Sequence, residues 1–107
     1  MKKTLFILAA VALGASLPVH AKGNYEAGKA KSTTCAACHG EDGNSTVPSF
    51  PKLAGQERDY LYHALRDYKS GKRNNPLMAG QVEALTDADM LDLSQYYSRQ
   101  KGLYLKY

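Results

Sequence analysis

An all-α fold is predicted for this chain of 107 residues, and three observations predict it. Apolar side chains recur at helical spacing in two segments, first at Tyr60, Leu61, Ala64, Leu65 and Tyr68, then at Met90, Leu91, Leu93, Tyr96 and Tyr97. Residues suited to capping helices, Asn24 and Thr86, stand just ahead of helical segments. No strand-like segment competes, because the one alternating stretch, Leu103 to Tyr107, has no partner strand and reads as a loosely attached tail.

The chain begins with Lys2 and Lys3, an unbroken apolar run from Leu5 to Leu13, and small residues around Val19 to Ala21. That order is a secretory signal, cleaved after Ala21. At about 1.5 Å per residue the run is too short for a hydrocarbon core of about 30 Å. An uncleaved anchor is the alternative, but the run stops at Gly14 and Pro18 and no other hydrophobic stretch follows. Residues 1–21 are therefore expected to be an export leader and residues 22–107 one soluble domain, with 103–107 as its tail. Losing Lys2 and Lys3 lowers the net charge from +4 to +2, and the remaining cations are scattered. No basic run interleaved with aromatics is present, which excludes a nucleic-acid partner. A domain of this size buries only about 60% of its unfolded surface and commonly leans on a metal, a disulfide or a cofactor.

The elements follow in order. Asn24 caps a helix from Tyr25 to about Thr33, with Glu26 in its first turn favouring the dipole. Gly28 gives it a shallow seat for the tyrosine-bearing helix at the far end of the chain. Residues 40–55 are loop, rich in glycine and carrying Pro48 and Pro51 around Phe50. A second helix opens at Gln56 or Glu57 and ends at Gly71. His63 borders its apolar stripe and reads as a partly buried structural histidine rather than a ligand. Lys72 to Pro76 is a polar turn, and Met78 follows in a loop before Gly80. Thr86 and Asp89 make a capping-box start, with Asp87 in the same turn, for a final helix to about Gln100, which Gly102 stops.

The chemistry lies in Cys35-Ala36-Ala37-Cys38-His39. Within a helical turn the thiols stand at i,i+3 and Cys35 and His39 at i,i+4, so two sulfurs and an imidazole converge on one side. Two thiols can each add to a vinyl group of a porphyrin while the imidazole reaches the iron, and the spacing matches a c-type haem attachment. A structural disulfide, half of a zinc site and a thioredoxin-like redox pair are the competing readings. These are the only two cysteines, zinc finds three ligands where it needs four, and no strand-helix-strand alternation is present. The imidazole Nδ1–H then needs an acceptor, and a backbone carbonyl near Pro51, or else Pro48, is the candidate. The alternative is that both prolines only stiffen a turn. For the second axial position Met78 is favoured, because a loop residue can be aimed independently of a helix face. Met90 sits on an amphipathic stripe and reads as core.

Taken together, Cys35 to Gly40, Pro51-Lys-Leu-Ala-Gly-Gln56, Met78 and Leu85-Thr-Asp-Ala-Asp89 resemble the small class I bacterial cytochromes c. The likeness covers nearly all of residues 24–101. It extends to the single-haem proteins and to the repeated unit of their two-haem relatives. The attachment motif is specific for haem, whereas the Leu-Thr-Asp signature alone is weak. The resemblance implies a class I cytochrome c fold of three to five short helices around one covalent haem, with the N- and C-terminal helices crossing. It implies thioether bonds at Cys35 and Cys38, iron ligation by His39 and Met78, and periplasmic electron transfer.

A soft, neutral thioether and an apolar wrapping both favour ferrous iron, so a fairly high potential is expected. Ala36 and Ala37 are small enough to let a redox partner approach the thioether edge. Lys29, Lys31, Lys52, Lys69, Lys72 and Arg73 either rim that edge and steer an acidic partner or are scattered solubilising charge. A haem-based ligand binder or sensor with an open sixth site is the rival reading, and a haem-free thiol oxidoreductase the third. No nucleophile, acid–base pair or substrate pocket of a self-contained enzyme is identifiable.

Overall fold

The structure, a computed structural model, describes residues 22–103 together with Thr4. The rest of the leader and residues 104–107 lie outside the described residues, as do the expectations that fall on them. Five helices follow one another: α1 (Tyr25–Lys31), α2 (Thr33–His39), α3 (Arg58–Ser70), α4 (Pro76–Val82) and α5 (Asp87–Ser98), with no strand among the described residues. The all-α expectation holds.

Asn24 caps α1 by accepting the Ala27 N–H. The helix expected to run to Thr33 instead ends at Lys31. Ser32 turns its hydroxyl back onto the Lys29 carbonyl at 2.7 Å, and a separate short helix carries the cysteines. Gly40, at φ 85°, ends α2, and Gly71 closes α3 in the left-handed conformation. α3 starts one or two residues later than expected, at Arg58, and α5 stops at Ser98 rather than near Gln100. Thr86 and Asp89 form the reciprocal capping box of α5.

The larger departure is α4. The stretch read as a turn and a loop is a helix, because Asn75 accepts the N–H groups of Leu77 and Met78 at 3.1 Å and Pro76 occupies the first helical position. Proline is tolerated there since its missing N–H would have no intrahelical acceptor. Met78 therefore sits in the first turn of a capped helix.

α1 lies against α5, and Gly28 makes that approach possible: a Cβ built on it would stand 2.0 Å from the Asp92 carbonyl oxygen. The contact is fastened electrostatically. Asp92, 4% exposed, accepts the Asn24 N–H at 2.7 Å and the Lys31 ammonium at 2.5 Å, and Lys31 also reaches Asp89 at 2.7 Å. On the far side of α5, Leu93 and Tyr97 pack with Leu61 of α3, and Cys35, Leu53, Leu65 and Leu85 close around them. Met90 is buried in the core, as its stripe position suggested. His63, in contrast, is exposed, since the stripe of α3 turns away from it.

Loop 40–57 has no regular structure but is pinned. Leu53 N–H donates to the Gly43 carbonyl, Gly55 N–H to the Tyr97 carbonyl, and Leu103 N–H to the Ala54 carbonyl. The loop thus hangs from the end of α5 and presents Phe50 and Pro51 toward α2.

Candidate functional site

Helices α2 to α5 leave a large cleft between them, with about 1290 Å³ of empty space counted to its open mouth. α2 contributes Cys35, Cys38 and His39, and the pinned loop contributes Phe50 and Pro51. Leu61, Ala64 and Leu65 come from α3, Met78 from α4, and Leu93 with Tyr97 from α5. The expected attachment residues and the expected sixth ligand thus meet in one space although they belong to separate helices. Met90 and His63 do not border it.

The imidazole is held on two sides. His39 is 7% exposed, and its Nδ1 lies 2.7 Å from the Pro51 carbonyl oxygen, an atom that can only accept. Nδ1 therefore carries the proton, and Nε2 is left with its lone pair free for another partner. The Phe50 ring meets the imidazole edge-on at 6.4 Å between centroids. Of the two prolines considered, Pro51 supplies the carbonyl.

Cys35 and Cys38 are half-buried and not joined to each other. Burial pushes the Cys35 thiol above its usual range, so it stays protonated at neutral pH. Beside it lies the Tyr97 hydroxyl, buried and without a well-formed hydrogen bond among the described residues. Burial likewise pushes this phenol well above its usual range. An unjoined thiol pair, an imidazole nitrogen free to ligate, an orphaned hydroxyl and an apolar slot fit a flat, largely apolar group with a metal at its centre. The residues present fit a haem.

Two signals went unread in the sequence. Asn75-Pro76 is a helix start, and Tyr97, placed with the core stripe, also forms cleft wall. Of the six cations proposed to rim the site, only Lys52 and Arg73 border the cleft. Lys31 is tied to Asp89 and Asp92, and Lys69 donates to the Leu85 carbonyl.

A helical domain folded round one apolar cleft, with two unjoined thiols and an imidazole from a single short helix on its wall, defines a c-type haem protein. The cytochrome c family profile matches residues 25–99. Cytochrome c4 of Pseudomonas aeruginosa is 44% identical over 97 residues, which is 91% of this chain and 48% of that protein. Cytochrome c-554(548) of Halomonas halodenitrificans is 40% identical over 82 residues, 74% of this chain and 99% of that protein. The crystal structure of reduced cytochrome c4 from Pseudomonas stutzeri superposes with a TM-score of 0.72 at 44% identity, covering 76% of this chain and 47% of the other. The chain belongs to the cytochrome c family and has the class I fold, which makes it a c-type cytochrome. It spans about half the length of the cytochrome c4 relatives it matches.

Proposed function

We propose that this chain is a periplasmic carrier of single electrons built on one haem, attached through thioether bonds at Cys35 and Cys38 and ligated by His39 and Met78. The observation that carries the reading is the convergence of His39, with only its Nε2 free, and Met78 on the same cleft from different helices. Bound haem would supply the one-electron ferrous–ferric couple. The chain's own residues do the rest. Pro51 holds the tautomer of His39, and the Asn75 cap fixes the first turn of α4 and with it the backbone from which Met78 projects. Leu61, Leu65 and Leu93 keep water from the cleft and so favour the less charged oxidation state.

Ala36, half-buried, and Ala37, exposed, leave the attachment helix accessible to a redox partner. Among the described residues no helix is long and apolar enough to cross a membrane. Delivery to the periplasm rests on the leader-like residues 1–21. Electron carriage without catalysis follows the same reading.

The test is expression in cells able to mature haem c, followed by visible spectroscopy. A coloured, exported product with covalently held haem and the ferric sulfur-to-iron absorption is expected. A colourless product with two titratable thiols would refute the reading, and high-spin ferric haem that takes up carbon monoxide without mutation would favour the open-site binder.

A further inference from the structure

Tyr97 of α5 is 3% exposed and borders the cleft, and its hydroxyl is buried without a well-formed hydrogen bond among the described residues. The ring cannot swing to find a partner. It stacks on Tyr96 at 5.0 Å between centroids and 21° between planes, it packs with Leu61 and Leu93, and a Cβ built on Gly43 would stand 2.8 Å from its Cδ1. The Tyr97 carbonyl is engaged as well, accepting the Gly55 N–H at 2.9 Å and the Gln100 N–H at 3.1 Å. These contacts fix where the hydroxyl points.

Two polar side chains lie beside that hydroxyl, Ser32 and Cys35. Ser32 has its own proton engaged by the Lys29 carbonyl at 2.7 Å, and nothing in haem attachment alters that residue. Cys35, half-buried and packed against Tyr97, is the one that attachment changes. Adding its S–H across a vinyl double bond forms a sulfur–carbon bond at one vinyl carbon and passes the hydrogen to the other, with no electron gained or lost. A thiol that can both donate and accept becomes a thioether that can only accept. A buried donor without an acceptor is costly, so a phenol held against that sulfur gains its partner when the bond forms. Burial keeps the phenol protonated well beyond neutral pH, so it remains a donor.

We propose that Tyr97 is a positioning residue for the Cys35 attachment: its hydroxyl donates a hydrogen bond to the Cys35 sulfur in the matured protein and so ties α5 to that thioether bond. The inference rests on the haem reading above and adds to it the residue that holds one attachment arm.

The experiment compares the matured wild type with Y97F, C35A and the double variant, each measured for covalent haem, titratable thiol, unfolding midpoint and, in the ferrous state, proton NMR. The wild type is expected to show a slowly exchanging Tyr97 hydroxyl proton with a nuclear Overhauser contact to the Cys35 Cβ protons. Y97F, which keeps the ring, is expected to lose that resonance, to unfold at a lower denaturant midpoint and to carry more titratable thiol per haem, from molecules held through Cys38 alone. In the C35A background the same substitution should leave the midpoint unchanged or raise it, because the hydroxyl has no sulfur to meet. An equal drop in both backgrounds is what packing, or a bond to Ser32, predicts, and it overturns the proposal. Thiol content and midpoint at the wild-type level in Y97F overturn it too, as does a hydroxyl proton that exchanges freely with water or contacts Ser32 in place of Cys35. Should C35A fail to accumulate, the ferrous wild-type spectrum decides by those same contacts. A wild-type protein without covalent haem removes both this inference and the reading beneath it, whereas a loaded wild type whose Tyr97 hydroxyl proton shows no contact with Cys35 removes this inference alone.

Discussion

The Nδ1 of His39 lies 2.7 Å from the carbonyl oxygen of Pro51, twelve residues away along the chain. That bond turns an irregular loop into part of the site, because it sets which imidazole nitrogen is free to ligate. P51G leaves the carbonyl in place but frees the backbone that aims it. The His39 Nδ1 proton should then exchange faster, and the potential should rise, since a less strongly held imidazole is a weaker donor to ferric iron. Proton exchange followed by NMR, alongside potentiometry, checks both.

Asn75 is the side-chain cap of a helix only seven residues long. N75A should destabilise the fold by about 1 kcal/mol. Its signature is local: the sulfur-to-iron absorption should fade at lower denaturant concentration than the loss of helix measured by circular dichroism.

Which parts of the site could be read in the sequence follows from how local each signal is. The attachment motif, the Asn24 cap and the Thr86–Asp89 box are complete within a turn or two, and the structure shows the helices they imply. α4 escaped because Asn-Pro signals a turn as readily as a helix start, and seven residues are too few to display a period. The break at Ser32 depends on one hydroxyl folding back on its own turn. The parts played by Lys31, Lys69 and Arg73 depend on which neighbours the fold brings them, and nothing in the local sequence distinguishes them.

Gly28 should be intolerant of even a methyl group. Its added Cβ would overlap the Asp92 backbone, which cannot move without displacing α5, so G28A should cost about 3 kcal/mol, the upper part of the range for overpacking. Denaturant unfolding checks this, with unchanged stability counting against so close a contact between α1 and α5.

The Lys31–Asp89 pair gives stability a pH dependence at both ends. Lys31 beside it holds the Asp89 carboxyl below its usual value near 3.8, so this contribution is full above that value and is lost as pH falls through the lowered one. Lys31 is raised above 10.5, chiefly by Asp89 and then Asp92, so its contribution is full below 10.5 and lost as pH climbs through the raised value. D89N should flatten the acid limb of a plot of urea midpoint against pH, and an unaltered limb would assign the acid sensitivity to other groups.

The claim on which the account turns is that Met78 and His39 ligate one iron from two helices. Its most direct measurement is the ferric visible spectrum of the matured wild type beside that of M78A. The wild type should show the sulfur-to-iron absorption, and M78A should lack it, bind small ligands and have a lower potential. An M78A protein that retains the absorption and the wild-type potential would contradict the assignment.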